Sequence, residues 1–290
     1  MTNQKKADFA LLTVTFFWGV SYYLMDLSFR ELDPLTINAY RFLIGFLVVG
    51  LLNIKKMKNI SRETLKYGVI IGVFLAFTYW GATFGTKYTS LSNAGFLCAL
   101  SVVFTPIFGF FLKGQKLDRK FILGLIICLI GMGLLMLGDT FKPAIGDIFC
   151  LGCAVFYAFD LLLTETACAN EGVDTLQMAV IELLTVGLLN LVMCLIFEEP
   201  TLPKQGVTWG SILFLAVFCT GLSITVQSIA QKYTTASHAG IIFSLEPVFA
   251  AIVAYFFAGE ILSTRGYIGA TMMMLSIFII EAGPKEESCS

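Results

Sequence analysis

Two carboxylates lie deep inside apolar stretches of the sequence. Glu246 lies in FSLEPVFAAIVAYFFAGE (243–260), and Asp160 lies in the apolar stretch 146–165. At about 1.5 Å of rise per helical residue, Glu246 would lie close to the middle of a bilayer. An ionisable group at that depth is costly and by default indicates a function, here substrate binding or proton transfer. A buried hydrogen bond that only stabilises the fold is the alternative for both residues.

Aromatic and polar side chains complete the set of candidate site residues. Tyr79 and Trp80 lie in the middle of an apolar stretch, where their rings could stack on apolar or cationic groups, although plain packing uses the same side chains. The sole histidine, His238, could titrate, but a lone histidine at a helix start is more often a hydrogen-bonded interfacial residue. The predicted substrate-binding residues are Glu246, Asp160, Tyr79, Trp80, Tyr157, Tyr22, Trp18, Asn93 and His238.

The composition predicts that a membrane protein carries these residues. Of the 290 residues, 57% are hydrophobic and 13% are charged, whereas a soluble domain has roughly 45–50% apolar and 25% charged residues. The net charge of −1 argues against a nucleic-acid partner. Cys150 and Cys153 form a CxxC pair without a second pair beside it, so we expect no metal site and no cofactor. Catalytic motifs such as HExxH are missing, and we expect no enzyme.

Ten apolar stretches have about the 20 residues that a membrane-spanning helix needs. They are 9–29, 35–54, 67–86, 90–112, 121–138, 146–165, 176–197, 209–230, 237–257 and 264–281. Their helical periodicity and short polar joints predict one all-α membrane domain with ten transmembrane helices. If the N-terminus is inside, the inner tails and loops hold 13 Lys and Arg and the outer loops hold five. This bias predicts a multi-pass protein of the plasma membrane with both termini in the cytoplasm.

The chain also contains an internal repeat. The stretch KYTSLSNAGFLCALSVVFTPIFGFFLKGQKL (87–117) aligns without a gap to KYTTASHAGIIFSLEPVFAAIVAYFFAGEIL (232–262), at an offset of 145. The repeat predicts two five-helix halves, 1–142 and 143–290. Because five is odd, the second half must cross the membrane in the opposite direction to the first. Two inverted repeats around a central cavity are typical of secondary transporters.

Prolines and glycines within the repeated segment predict kinks and close helix contacts. Pro106 and Pro247 lack the N–H that would bond the carbonyls of Val102 and Phe243, so each helix should kink. Gly95 and Gly240 should let neighbouring helices approach closely. A kink flanked by small residues favours a gating role for all four residues, although passive packing uses the same types.

Two stretches resemble a known family. FWGVSYYLMDLSF…LDPLTINAYRFLIGFL (17–47) resembles the opening of the bacterial drug/metabolite transporters of the EamA type. LEPVFAAIVAYFFAGE (245–260) resembles their second-repeat signature, which runs Glu-Pro-Val and then Gly-Glu. The resemblance covers essentially the whole chain and implies a basket of ten helices, with a cavity lined mainly by spans one, three, four, six, eight and nine. It also implies transport of small metabolites such as amino acids, often by export and without ATP.

The sequence departs from the family pattern in one direction. Family members often have Lys at the position of Asp26 and Arg or Lys near Glu165, and the position of Asp160 is commonly uncharged. These exchanges favour a substrate with an amine or another cationic group, held by Asp160 or Glu246.

The predicted function is therefore secondary transport of small metabolites across the membrane. The expected substrate is amino acid-like or amine-like, aromatic or cationic, and it is moved by alternating access with export as the expected direction. Protons that bind at Glu246 are the candidate coupling ion. Membrane lipid is another expected partner. We expect no second subunit, since ten spans can enclose a cavity as a monomer. The alternative is a membrane receptor or scaffold that binds a small molecule without transporting it.

Overall fold

The regular elements of the protein are helices. The computed structural model describes residues 3–89, 91–114, 118–136, 144–258 and 263–281, and no strand occurs in these ranges. The α-helices are α1 (Asn3–Ser28), α2 (Pro34–Leu52), α3 (Arg62–Tyr88), α4 (Leu91–Ala99), α5 (Ser101–Lys113), α6 (Arg119–Met136), α7 (Ile145–Cys168), α8 (Thr175–Phe197), α9 (Gly206–Phe214), α10 (Ser223–Ala230), α11 (Ala236–Phe243), α12 (Glu246–Ala258) and α13 (Thr264–Glu281). A π-helical segment, Leu215–Leu222, joins α9 to α10, and 3₁₀ turns lie at Ile54–Lys56 and Gln231–Tyr233. The all-α prediction is confirmed.

Seven helical segments of the described chain are long and apolar enough to cross a membrane. They are Asn3–Ser28, Pro34–Leu52, Arg62–Tyr88, Ile145–Cys168, Thr175–Phe197, Gly206–Tyr233 and Ala236–Phe257. The other three predicted spans correspond to α4–α5, which is interrupted, and to α6 and α13, which have 18 residues each. Eighteen residues extend about 27 Å, slightly less than the hydrocarbon core of a bilayer. The count of ten spans therefore stays a prediction.

The helices pack in pairs, with α3 against α7, α2 against α8 and α6 against α13. α1 also packs against α12, and Gly19 makes this close contact possible. A Cβ atom on Gly19 would lie 2.6 Å from Cβ of Phe249 and 2.8 Å from the amide nitrogen of Ala250. Gly240 was expected to play this part, but a Cβ atom there would meet its nearest neighbours at an ordinary 3.8 Å. In lipid, helices have no hydrophobic driving force to associate, so their association depends on close van der Waals packing. Small residues are common at such contacts because they let the backbones approach closely.

The helix of each repeat is interrupted at an equivalent position. Leu100 separates α4 from α5, and Ser244 and Leu245 separate α11 from α12. At the first break, the amide of Leu100 donates to Leu97 O, and Leu100 O accepts from Val103 and Phe104. At the second, the amide of Leu245 donates to Ile242 O, and Leu245 O accepts from Val248 and Phe249. Each of the three hydrogen bonds at the first break recurs 145 positions later at the second, and 145 is the offset of the sequence repeat (245 − 100 = 145).

The prolines do not mark the breaks. Pro247 lies in the first turn of α12, after the interruption, where the missing N–H has no intrahelical partner to lose. Pro106 lies inside α5, six residues after the break at Leu100. The interruption at Ser244–Leu245 therefore precedes Pro247, and the kink expected at Pro106 stays a prediction.

Two carboxylates in the loops accept from backbone amides at or just before helix starts that are distant in sequence. Glu198 accepts from the backbone amides of Leu35 and Thr36, at 2.9 and 2.8 Å, and so caps α2. Glu31 accepts from the backbone amide of Lys204 at 2.9 Å, just before α9, and this bond lowers the pKa of Glu31 below its ordinary value. A carboxylate at a helix start satisfies amides that have no partner within the helix and interacts favourably with the helix dipole.

Replacing Gly19 with alanine should destabilise the protein by roughly 1–3 kcal/mol, because the added methyl group forces α1 away from α12. The matched control is Gly152→Ala in α7, where a Cβ atom would meet nothing within 4 Å. The control should leave stability unchanged or raise it slightly, since alanine is the better helix former. Thermal unfolding in detergent compares the two. Equal melting temperatures would show that α1 and α12 are not in close contact.

Replacing Glu198 with glutamine should lower the free energy of unfolding by about 1–2 kcal/mol, because the cap of α2 loses its charge. Glu199→Gln is the control, since Glu199 is the exposed neighbour of Glu198 in the same loop. The melting temperature of the Glu198 variant should fall in detergent while that of the Glu199 variant stays near the wild-type value. A fall of the same size in both variants would mean that general loop charge, not the cap, is what matters.

Candidate functional site

A central cavity lies where the two interrupted helices meet α1, α2, α3 and α7. It encloses about 800 Å³ of space between atoms, part of it open to the outside. The lining residues are Trp18, Ser21, Tyr22, Met25, Arg41, Leu75, Thr78, Tyr79, Ala82, Thr83, Gly95, Cys98, Ala99, Ser101, Cys153, Tyr157, Phe243, Ser244, Glu246 and Pro247. This mixture of apolar walls with a few polar groups is typical of small-molecule sites.

Glu246 lies in the wall of the cavity as the first residue of α12. An acidic residue followed by proline is a favourable helix start, because the helix dipole attracts the carboxylate and proline has no amide to leave unpaired. The hydroxyl of Tyr22 on α1 lies near the Glu246 carboxyl group. Ser101, which is 145 positions earlier, is the first residue of α5 and also lines the cavity. The two repeats therefore place an acidic and a neutral side chain at equivalent helix starts.

Arg41 supplies a cationic group to the same cavity. Its guanidinium is 2% exposed, and Nε donates to Thr220 Oγ1 of the π-helical segment at 2.7 Å. The Arg41 Cζ atom lies 4.9 Å from the centroid of the Tyr79 ring, a cation–π contact. In the described part of the chain, no carboxylate oxygen lies within 4 Å of this guanidinium. A buried arginine normally has an anionic partner, so the cavity presents a cationic group with capacity to bind one.

The aromatic wall of the cavity is held rigidly. The indole of Trp18 donates from Nε1 to the carbonyl of Cys219 at 3.0 Å, which fixes the ring. The Trp18 ring contacts Phe243 and Tyr157, with centroid distances of 4.9 and 5.9 Å. Rings fixed in this way offer an apolar surface without a large loss of side-chain entropy when a ligand binds.

The other predicted site residues lie away from the cavity. Trp80 donates from Nε1 to Asn190 Oδ1 on α8 at 2.9 Å. Asp160 is buried and accepts from Gln227 at 3.4 Å, behind Tyr157. His238 lies near the start of α11, with Nε2 3.3 Å from Oδ1 of Asp8. The side chain of Asn93 lies outside the described residues.

A model of the EamA-like transporter family matches the chain twice, over residues 5–137 and 144–282. The chain belongs to this family. A protein described as an uncharacterized transporter of Archaeoglobus fulgidus is 26% identical over 276 residues, which cover 94% of this chain and 85% of the relative. The uncharacterized transporter YoaV of Bacillus subtilis is 22% identical, with 94% of this chain and 96% of YoaV covered. A solved crystal structure has the same fold, with a TM-score of 0.80, 18% identity, and coverage of 95% of this chain and 96% of the other.

This EamA-like protein is therefore a multi-pass membrane transporter for a small molecule. Of the residues predicted from its sequence, Glu246, Tyr79, Tyr157, Tyr22, Trp18, Gly95 and Pro247 line the cavity, whereas Asp160, Trp80, His238, Pro106 and Gly240 do not.

The transporter also has lining residues that the sequence reasoning missed. Arg41 is the most important, because the implied set of lining spans included the eighth and left out the second. In the structure, the second span lines the cavity through Arg41, whereas the eighth does not. Thr220 of the eighth span positions Arg41 by accepting its hydrogen bond. The signal was present, since Arg41 is an ionisable residue within a span. Cys98 and Cys153 also line the wall, and the described residues contain no group of three or more His, Cys, Asp or Glu that could hold a metal ion.

Proposed function

We propose that this transporter carries small zwitterions, namely amino acids with an apolar side group, through the central cavity. The observation that supports this substrate class is that Arg41 and Glu246 both line the same cavity. A guanidinium and a carboxylate facing the same space match the carboxylate and ammonium groups of a free amino acid.

The guanidinium of Arg41 would bind the substrate carboxylate. It is buried, and it has one strong hydrogen bond, to Thr220, out of the five N–H groups that arginine can donate. Arginine binds carboxylates with charge-assisted and often bidentate hydrogen bonds. A substrate with a cationic group alone, as the sequence favoured, would leave Arg41 unneutralised and would be repelled by it.

Glu246 would bind the substrate ammonium group, and Tyr22 would hold the carboxylate in place. The apolar side group of the substrate would then pack against Trp18, Tyr157 and Phe243. Tyr79 lies beside Arg41, so its ring would contact the backbone end of the substrate rather than the side group.

Transport would proceed by alternating access between two inverted halves of five spans each, 1–142 and 143–290. Two observations support this arrangement: the family model matches the chain once in each half, and the backbone hydrogen bonds at Leu100 recur at Leu245. Interrupted helices beside the cavity are natural hinge points, because the chain there already lacks continuous helical bonding. Export would be the physiological direction, and protons would be the coupling ion with Glu246 as their carrier in the cavity.

Counterflow of labelled L-phenylalanine into proteoliposomes tests the substrate class. Unlabelled L-phenylalanine should compete fully, whereas phenethylamine, without the carboxylate, and 3-phenylpropionate, without the ammonium group, should each compete about 10- to 100-fold less well. The reason is that each analogue leaves one buried charge of the protein without its partner, at a cost of about 1.5–3 kcal/mol. Arg41→Gln should remove the discrimination against phenethylamine, and Glu246→Gln the discrimination against 3-phenylpropionate. Phenethylamine competing as well as L-phenylalanine in the wild type would contradict the role of Arg41.

The control variant is Trp80→Phe, since Trp80 lies outside the cavity and contacts Asn190. It should retain the selectivity of the wild type. Binding of L-phenylalanine without any flux in sealed vesicles would instead favour a receptor.

Labelling of single introduced cysteines tests the orientation. Lys204→Cys lies in a loop predicted outside, and Lys55→Cys in one predicted inside; both side chains are exposed. A membrane-impermeant maleimide added to intact cells should label the first variant, and the second only after the membrane is permeabilised. The unmodified chain, with its own cysteines, measures the background. The opposite labelling pattern would reverse the predicted topology of the termini.

A further inference from the structure

A second polar cluster lies behind the cavity wall, between α7, α8 and α10. Asp160 of α7 is 1% exposed, and Glu182 of α8 is 2% exposed. Both lie beside the same short stretch of α10: Gln227 donates to Asp160 Oδ2 at 3.4 Å, and the next residue, Ser228, lies near Glu182 while its hydroxyl donates to Ile224 O at 3.0 Å. Neither carboxylate lines the cavity, so substrate binding does not account for either of them.

Each carboxyl group has one oxygen that nothing in its surroundings satisfies. Oδ1 of Asp160 and Oε1 of Glu182 are buried and have no hydrogen-bond partner. Across the described residues, no Lys, Arg or His nitrogen lies within 4 Å of either group. Two full negative charges without a cation would be very costly in an apolar interior, so the pair must hold positive charge from elsewhere.

The groups that face the pair do not supply that charge. Tyr157 and Cys168 of α7 and Tyr79 of α3 are the titratable neighbours, and all three are neutral or anionic. The facing part of α3 has Gly72, where an added Cβ atom would lie 3.3 Å from Cα of Glu182. The cations on the packed elements are engaged or distant. Arg41 of α2 donates to Thr220 and Met25, Lys113 pairs with Glu165, and Lys232 is exposed beyond Cys168.

We propose that Asp160 and Glu182 form a shared proton-binding site, separate from the substrate cavity, that carries the coupling ion of this transporter. The inference rests on the proposed transport function and assigns the coupling proton to this pair in addition to the cavity carboxyl of Glu246. A hydronium ion transfers one proton to one carboxylate, so that one O–H bond of hydronium breaks as the O–H bond of the neutral acid forms. On the other side of the membrane the acid returns the proton to a water molecule by the reverse step.

The pair is connected to the cavity by side chains. The Tyr157 hydroxyl, on a residue that lines the cavity, lies 3.4 Å from Gln227 Oε1. The amide nitrogen of Gln227 lies 3.4 Å from both Asp160 Oδ2 and Gln231 Oε1. A change at Tyr157 on substrate binding can therefore alter the partner of Gln227 and, with it, the hydrogen bonding of Asp160.

Infrared difference spectroscopy of the purified full-length protein tests the site without any substrate. Acid–base difference spectra of the wild type should show the carbonyl stretch of a buried protonated carboxyl group. Asp160→Asn and Glu182→Gln should each shift this band, and the double variant should lose it. Glu246→Gln is the control, and the band assigned to the pair should remain in it. If the part of the signal that remains in Glu246→Gln also persists in the double variant, the proposal is overturned. Stabilisation of the wild type by Na⁺ over choline would overturn it too, because it would indicate a sodium site.

Transport of L-phenylalanine in proteoliposomes supplies the second measurement. In the wild type, a pH gradient should drive its accumulation, and Asp160→Asn and Glu182→Gln should each abolish this response while still exchanging L-phenylalanine without a gradient. A response to the pH gradient that survives in both variants would overturn the coupling role. If the wild type moves no L-phenylalanine, the proposed function fails, and the infrared band still decides whether the pair holds a proton. Because Asp160→Asn and Glu182→Gln are tested separately, the coupling role can still be judged from one variant if the other fails to fold.

Discussion

A charged side chain inside an apolar protein must be neutralised, hydrogen-bonded or given access to water, and this constraint explains how the centre of the transporter is arranged. Arg41, which is buried, and Glu246 both line the cavity, where a ligand can supply the missing partner. A neutral hydroxyl group lies beside each of them, Thr220 beside Arg41 and Tyr22 beside Glu246. A hydroxyl orients the charge without neutralising it, so the electrostatic attraction remains available to a ligand.

The interrupted helices follow from a related constraint on the backbone. A helix that ends inside a membrane leaves amides and carbonyls without partners, which is tolerable only beside protein or a cavity. Both interruptions, at Leu100 and at Ser244–Leu245, lie next to cavity residues. The dipole at the start of α12 then favours the carboxylate of Glu246, whereas the start of α5 has the uncharged Ser101. The two repeats thus share a backbone design and differ in the charge that they place at the site.

Much of this arrangement could be predicted from the sequence, because bilayer thickness and hydrophobic runs determine where helices form. The sequence also pointed to Glu246, Tyr22 and Tyr157, since polar and aromatic groups within spans are uncommon. Which face each residue occupies was harder to predict. Tyr79 lines the cavity, but Trp80 is one residue further on, about 100° around the helix, and contacts Asn190 of α8.

The positions of the helix breaks could not be read from proline alone. Proline excludes an internal hydrogen bond but is well tolerated in a first turn, and Pro247 occupies such a turn. At the interruption, the backbone amide of Leu245 is bonded in 3₁₀ fashion to the carbonyl of Ile242. Close contacts were likewise assigned to the wrong glycine. Gly240 has ordinary space around it, whereas Gly19 is the residue that allows α12 to touch α1.

Coupling between two sites requires an element with two arrangements, and Gln227 has the geometry for it. Its single amide group lies 3.4 Å from Asp160 Oδ2 and 3.4 Å from Gln231 Oε1, both at the long end of the hydrogen-bond range. The amide nitrogen carries two hydrogens and can donate to both oxygens at once, so a small displacement of Tyr157 could shorten one bond and lengthen the other. A protonated Asp160 accepts hydrogen bonds more weakly than an ionised one, which would favour Gln231 as the partner. Substrate in the cavity and a proton on the pair would then act on the same amide from opposite sides.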